Sequence, residues 1–240
     1  MDLGLSSDQE AIREIFGSFF ANQAGPDHTR AAQPLGFDPE GWARLGETGA
    51  PGMGVPVDAG GGGASLADLV VVAEEAGANV SPLPLVDHTV TARLLAGLDA
   101  VGDDVVSGSA VAGLAVRPAT DGLARSVPTG AVAEVLVALE DDRLVVVRGA
   151  APGKAQPNHA DMPIAHRSVQ GGEVLAEGPE AVAAHARAVD EWRALTGSLL
   201  VGATRMAIKM AVDYVSERHQ FGRPIGSFQA VQHGLSLIHI

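Results

Sequence analysis

The sequence predicts an α+β protein in three consecutive parts: an N-terminal helical domain, a small middle β domain and the start of a C-terminal helical bundle. Three observations carry this. Capped segments with helical spacing of apolar residues fill the first hundred positions. Short Val- and Leu-rich segments separated by turn residues follow, from about 110 to 177. A long apolar stripe with helical period then begins after Pro179. The expected divisions are residues 1–108, 109–177 and 178–240.

The first helix is announced by "LSSDQEAIREIFGSFF". Ser6 and Ser7 stand three places before Gln9 and Glu10, which is capping-box spacing, and Ile12, Ile15, Phe16, Phe19 and Phe20 recur at helical intervals. A second short helix surrounds Trp42 and Leu45. "GAPGMGVPVDAGGGGAS" is a loop, because its glycines and prolines oppose regular structure. Ser65 with Asp68 restarts a helix through "LADLVVVAEEAG", with Gly77 as its expected stop. "SPLPL" is another break, and "VDHTVTARLLAGL" is helical. "AVAGLAVRP", "EVLVALED", "RLVVVRG" and "RSVQGGEVLAEG" read as strands, with "EDDR" as a hairpin turn. In the last part Leu195, Leu199, Ala203, Met206, Met210 and Tyr214 form one apolar stripe. Gly197 and Gly202 reduce helix propensity but allow a neighbouring helix to come close.

Composition narrows the function. The 240 residues are 46 % apolar and 19 % charged, enough for a sizeable core and against wholesale disorder. A net charge of -13 argues against nucleic acid as a partner, since phosphate backbones need clustered Lys and Arg. A phosphate-bearing small molecule needs only one or two placed arginines and stays open. There is no cysteine, which excludes disulfides, thiolate nucleophiles and Cys-based zinc sites and fits a reducing compartment. The N-terminal stretch lacks a basic region followed by an apolar core, and no uninterrupted apolar run approaches ~18 residues. A cytoplasmic location without a membrane span is therefore expected.

Several tempting motifs fail. Gly60 to Gly63 lacks the Gly-Lys-Ser/Thr of a phosphate loop. "GMGVP" lacks the third glycine of a dinucleotide fingerprint. The eight histidines never fall at metal spacing, and no Gly-x-Ser-x-Gly elbow exists. Glu74 and Glu75 are adjacent, so they are expected to point apart on a helix as solvated or structural groups.

The informative stretch is "SERHQFGRPIGSFQAVQH", residues 216–233. A helix stops near Gly222, Pro224 prevents its resumption, and Ser227 is placed to cap a new helix at Phe228 and Gln229. The corner reads two ways. Arg218 either satisfies the terminal carbonyls of the helix, which attract cations, or faces a flat anion. "DEWR", Asp190 to Arg193, lies on the same helix. Arg193 and Arg218 are close to seven turns apart, on one face but separated by roughly 37 Å. One phosphate does not bridge them; two ligands do. A helical scaffold without a ligand is the plain alternative.

"RHQFGRPIGSFQAVQH" resembles the Arg-x-x-Phe-Gly-x-Pro-Ile-x-x-Phe-Gln segment of the acyl-CoA dehydrogenase flavoproteins. "DEWR" is similar to that family's Asp-x-x-Arg element. "LSSDQEAIREIF", "GWARLGETGAPGMGVPVDAGGGGASLADLVVVAEEAG" and "SPLP" resemble its N-terminal helical domain, and the likeness is weakest from about 90 to 170. The resemblance implies an oligomer, homomeric or heteromeric, that shares FAD sites across subunits. It implies FAD contacts at Arg218, Gln220, Phe221 and Gln229, with the arginine at the pyrophosphate, and acyl-CoA contacts at Asp190 and Arg193. It implies removal of an α-proton by a carboxylate, transfer of the β-hydride to flavin, and an electron acceptor. The β domain departs from the pattern: the Thr/Ser-rich flavin-contacting strand and the Trp-x-Thr-Asn-like segment are missing. The family's catalytic glutamate is expected beyond "HGLSLIHI", whose last six residues depart from the family's helix pattern. No catalytic base is nominated among Glu74, Glu75, Glu191 and Glu217. A non-catalytic subunit of a hetero-oligomer is the companion expectation.

Overall fold

The computed structural model describes residues 4–236; the last four residues of "HGLSLIHI" lie outside them. The expected order of helices, sheet and helices holds. Helix α1 (Ser7–Gln23) starts at Ser6, whose hydroxyl and the Gln9 side chain complete a capping box. Two short helices follow, α2 (Pro26–Ala31) and α3 (Pro39–Glu47), the latter capped by Asp38. Helix α4 (Leu66–Ala78) has the expected Ser65–Asp68 box, and α5 (Leu85–Ala96) and the single turn α6 (Asp103–Val106) complete the first part.

The sheet region contains β1 (Ala112–Leu114), β2 (Leu123–Val127), β3 (Val135–Glu140), β4 (Arg143–Arg148), β5 (Ala165–Ser168) and β6 (Glu173–Glu177). One sheet has the order β1-β3-β4-β6, with β1 and β3 parallel; β2 and β5 pair separately. Glu140 pairs with Arg143 across the expected "EDDR" hairpin, with Asp141 in the left-handed region. Strand β3 is apolar without alternation because both its faces are covered. Val135, Val137 and Leu139 join the helix-side core, whereas Leu136 and Ala138 join the cluster with Ala124 and Val127 of β2.

Helix α7 (Gly178–Glu217) runs for 40 residues. Ala181, Ala184, Ala188 and Leu195 enter the helix-side core with Leu94 and Leu95 of α5, Leu114 of β1 and Leu144 of β4. By length and composition α7 is the one described helix suited to cross a membrane. Its first half is packed on protein, and its outer surface carries the ion pairs Asp190–Arg193 and Lys209–Asp213.

Two helix-level expectations are corrected. Gly77 does not stop α4, which continues to Ala78 and is capped by Asn79. Gly77 instead faces α7, where a Cβ would run into the Leu199 carbonyl, and Gly202 faces α4, where a Cβ would run into the Glu74 carbonyl. The two helices cross backbone against backbone. Gly197 has open space beside it and plays no part.

The second correction concerns the corner. It is a β-hairpin: His219–Gln220 (β7) pairs with Arg223–Pro224 (β8), and a 3-10 turn leads to α8 (Gln229–Ser236). The Ser227 hydroxyl donates to the Pro224 carbonyl at 2.7 Å and so serves the 3-10 turn rather than capping α8.

Candidate functional site

The hairpin is built by an unusual turn. Phe221 and Gly222 have φ of 54° and 77°. Two positive values suit the right-handed twist of a tight hairpin, but a phenylalanine held there costs about 1 kcal/mol or more. The result is an aromatic ring at the tip that is 91 % exposed. Phe228 packs edge-on against it at 6.1 Å, and the Arg223 guanidinium lies 4.1 Å over the Phe228 ring. Arg218, at the end of α7, uses its backbone to tie Tyr214 to Ile225. Its guanidinium has no acceptor among the described residues, so the simple carbonyl-capping reading does not describe it. The Gln220 amide donates to the His219 carbonyl, and Gln229 is exposed at the first position of α8. The structure thus gathers Arg218, Gln220 and Phe221 on one exposed hairpin, with Gln229 just beyond it. A cation and a strained, exposed aromatic suit a flat anionic ligand such as FAD. Arg223 and Phe228 belong to this surface too. Their spacing of five carried no signal in the sequence, because the hairpin brings them together.

Helix geometry splits "DEWR" into two pairs, since successive residues turn by about 100°. Asp190 and Arg193 face outward and bond each other at 2.8 Å. Glu191 and Trp192 face inward. Glu191 receives Arg93 in a bidentate pair at 2.8 and 3.0 Å, while Arg93 also donates to the Gly54 carbonyl at 2.8 Å. Trp192 Nε1 donates to Asp87 Oδ1 at 2.8 Å. Burial pushes the Asp87 carboxyl up to about 6, against the lowering effect of the Trp192 bond.

Glu74 and Glu75 do not point apart. Both bond Arg205, at 2.6 and 2.8 Å, and both lie near Arg13, at 4.0 and 3.7 Å. This cluster fastens α1, α4 and α7, and Glu75 is the first cause of the raised Arg205 pKa. Three of the four glutamates considered as bases are therefore committed to ion pairs. The glycine loop has no spare donors either: the N–H groups of Gly60, Gly61, Gly62 and Gly63 bond the carbonyls of Val57, Pro56, Gly52 and Val55.

A cleft of ≈ 270 Å³ lies between the α4–α5 connection, the 160–163 segment and α7. Its walls include Val80, Leu83, Val86, Met162, Leu199 and Leu200, with Asp87 among them. Arg193 lies two turns before Leu200 on the same face of α7, roughly 10 Å away along the axis. Nothing in the sequence discloses this cleft, because its walls come from segments far apart in the chain.

Residues 6–105 match the acyl-CoA dehydrogenase N-terminal domain, and residues 182–240 match the acyl-CoA dehydrogenase C-terminal domain. The chain belongs to the acyl-CoA dehydrogenase family. The acyl-CoA dehydrogenase IpdE2 of Mycolicibacterium smegmatis is 30 % identical over 242 residues, covering 98 % of this chain and 73 % of the relative. Among solved structures, a Tcur3481-Tcur3483 steroid ACAD variant aligns with a TM-score of 0.79 at 27 % identity, over 95 % of this chain and 72 % of that one. The ChsE4-ChsE5 complex of Mycobacterium tuberculosis aligns with a TM-score of 0.83 at 22 % identity, over 100 % of this chain and 75 % of that one, which supports the fold. The family matches leave residues 106–181 uncovered, where the sequence departs most from the acyl-CoA dehydrogenase pattern.

Proposed function

We propose that this acyl-CoA dehydrogenase family chain takes part in FAD-dependent α,β-dehydrogenation of an acyl-CoA thioester. The observation that carries the reading is the Arg218–Phe221 hairpin, with a guanidinium unpaired among the described residues and an outward aromatic. FAD, when bound, accepts the β-hydride of the acyl group. Arg218 holds the pyrophosphate with a two-pronged hydrogen bond. Phe221 covers an adjoining flat portion of the nucleotide, and Gln220 and Gln229 supply further polar contacts. An exposed hairpin cannot enclose a dinucleotide alone, so a second subunit covers the other side. Asp190 and Arg193 bind the CoA portion of the substrate, and the neighbouring cleft takes the acyl group and excludes water from it. The residues present are assigned no base. Electrons leave to a separate acceptor.

The second reading, a non-catalytic subunit of a hetero-oligomer, draws support from two observations. Glu74, Glu75 and Glu191 are all tied up by arginines, and two of the similar structures are named for pairs of chains.

The test is FAD fluorescence titration of the chain and of Arg218→Ala. Loss of one charged hydrogen-bonding partner predicts roughly 10- to 100-fold weaker FAD binding. Equal affinity in both proteins would refute the assignment of Arg218.

A further inference from the structure

Asp87 is 6 % exposed and sits on the wall of the cleft described above. Among the described residues its carboxyl receives one side-chain donor, Trp192 Nε1, and its own backbone N–H. A carboxyl has about four acceptor positions, and a buried one with so few partners is unfavourable. Nor is Asp87 needed to join α5 to α7, since Arg93 and Glu191 make that tie with two charged hydrogen bonds. Ser81 and Thr129 also line the cleft, and the Oγ of Ser81 is buried without a hydrogen-bond partner among the described residues. A cleft meant for a purely aliphatic chain gains nothing from these groups, and apolar residues of similar size would pack as well.

We propose that the cleft selects a hydroxylated acyl group, whose hydroxyl hydrogen-bonds the Asp87 carboxyl, and that Asp87 is a specificity-determining residue. The inference rests on the acyl-CoA reading, with Arg193 two turns from Leu200 of the cleft wall. Trp192 and the Asp87 backbone N–H position the carboxyl, and the acceptor sites they do not use are left to the ligand. An acyl group without the hydroxyl would leave the carboxyl short of a partner in the apolar wall, and the site discriminates against it for that reason.

Calorimetric titration with unreactive S-alkyl-CoA thioethers, in excess FAD, tests this. The probes are octyl-CoA and its positional hydroxy isomers. At least one hydroxy isomer is expected to bind roughly 10- to 100-fold more tightly than octyl-CoA. Asp87→Leu is expected to abolish that preference while octyl-CoA binds as well or better, and Asp87→Asn to restore most of it. Octyl-CoA binding the wild type as tightly as every hydroxy isomer would overturn the inference and leave the acyl-CoA reading standing. Failure of all the thioethers to bind would remove that reading and the inference with it. The wild-type comparison needs no variant, so poor folding of Asp87→Leu would not protect the proposal.

Discussion

Asp87 and His88 are adjacent on α5, and burial moves their proton equilibria in opposite directions. Asp87 is raised from 3.8 to about 6, and His88 is lowered from 6.5 to about 4. His88 is neutral by construction: Nε2 meets the Val105 carbonyl at 3.0 Å, and Nδ1 accepts the Ala112 N–H at 3.0 Å. Protonating Nδ1 would set two N–H groups against each other. For His88 the unfolded chain binds more protons between pH 6.5 and 4, so its contribution to stability falls as pH drops through that window. For Asp87 the folded chain binds more protons between pH 3.8 and 6, so its contribution falls as pH rises. The two slopes oppose each other. Asp87→Asn removes one of them and should gain stability over wild type as pH rises from 4 to 7, on the order of 2–3 kcal/mol. Urea denaturation at several pH values measures the difference; a constant offset between the two proteins would refute the burial of that carboxyl. Neither residue stood out in "VDHTVTARLLAGL", because a helical period shows which face is apolar but not which polar residue the tertiary structure encloses.

At the scale of elements, α4 and α7 depend on two glycines rather than on interlocking side chains. Gly202→Ala pushes a methyl group into the Glu74 carbonyl of a helix that is also held by Arg205 and cannot retreat freely. It should cost about 3 kcal/mol or more. Gly197→Ala, five residues earlier on the same helix and facing open space, should instead gain about 0.5–1 kcal/mol from helix propensity. Thermal unfolding of the two variants should therefore move in opposite directions, and a shared direction would refute the close crossing. The sequence marked both glycines as equivalent, since helix propensity does not depend on what lies opposite. The hairpin at residues 219–224 was illegible for a different reason. Local propensity opposes a phenylalanine at positive φ, so a stretch rich in Gly and Pro read as a plain corner. Strand β2 leaves no hairpin signal in the sequence because its partner is β5, paired Leu123 to Ser168 and Val127 to Ala165, and not the strand after the next turn.

Over the whole molecule, burial fades along α7. Leu195 is 1 % exposed, whereas Met210 is 65 % and Tyr214 60 % exposed on the same stripe. Leu200 and Val201 are also open to solvent. A patch of this kind marks a contact surface, and it lies on the helix that ends in the proposed FAD hairpin. Sedimentation of the chain should show concentration-dependent association. The double variant Met210→Lys and Tyr214→Lys should weaken it by about tenfold or more, as two apolar side chains are removed from the interface. A strictly single-chain species at every concentration would count against a shared site.

The amino-acid sequence alone determined the order of helices, strands and helices, the caps at Ser6 and Ser65, the "EDDR" turn and the family likeness. Each of these depends on residues close together in the chain, where period and turn chemistry act directly. Tertiary structure decided that Glu74 and Glu75 both bond Arg205, that Glu191 and Trp192 of "DEWR" are the pair that meets α5, and that Asp87 lines a cleft. Those facts depend on which distant segments meet, and side-chain packing between elements sets that without leaving a period in the sequence.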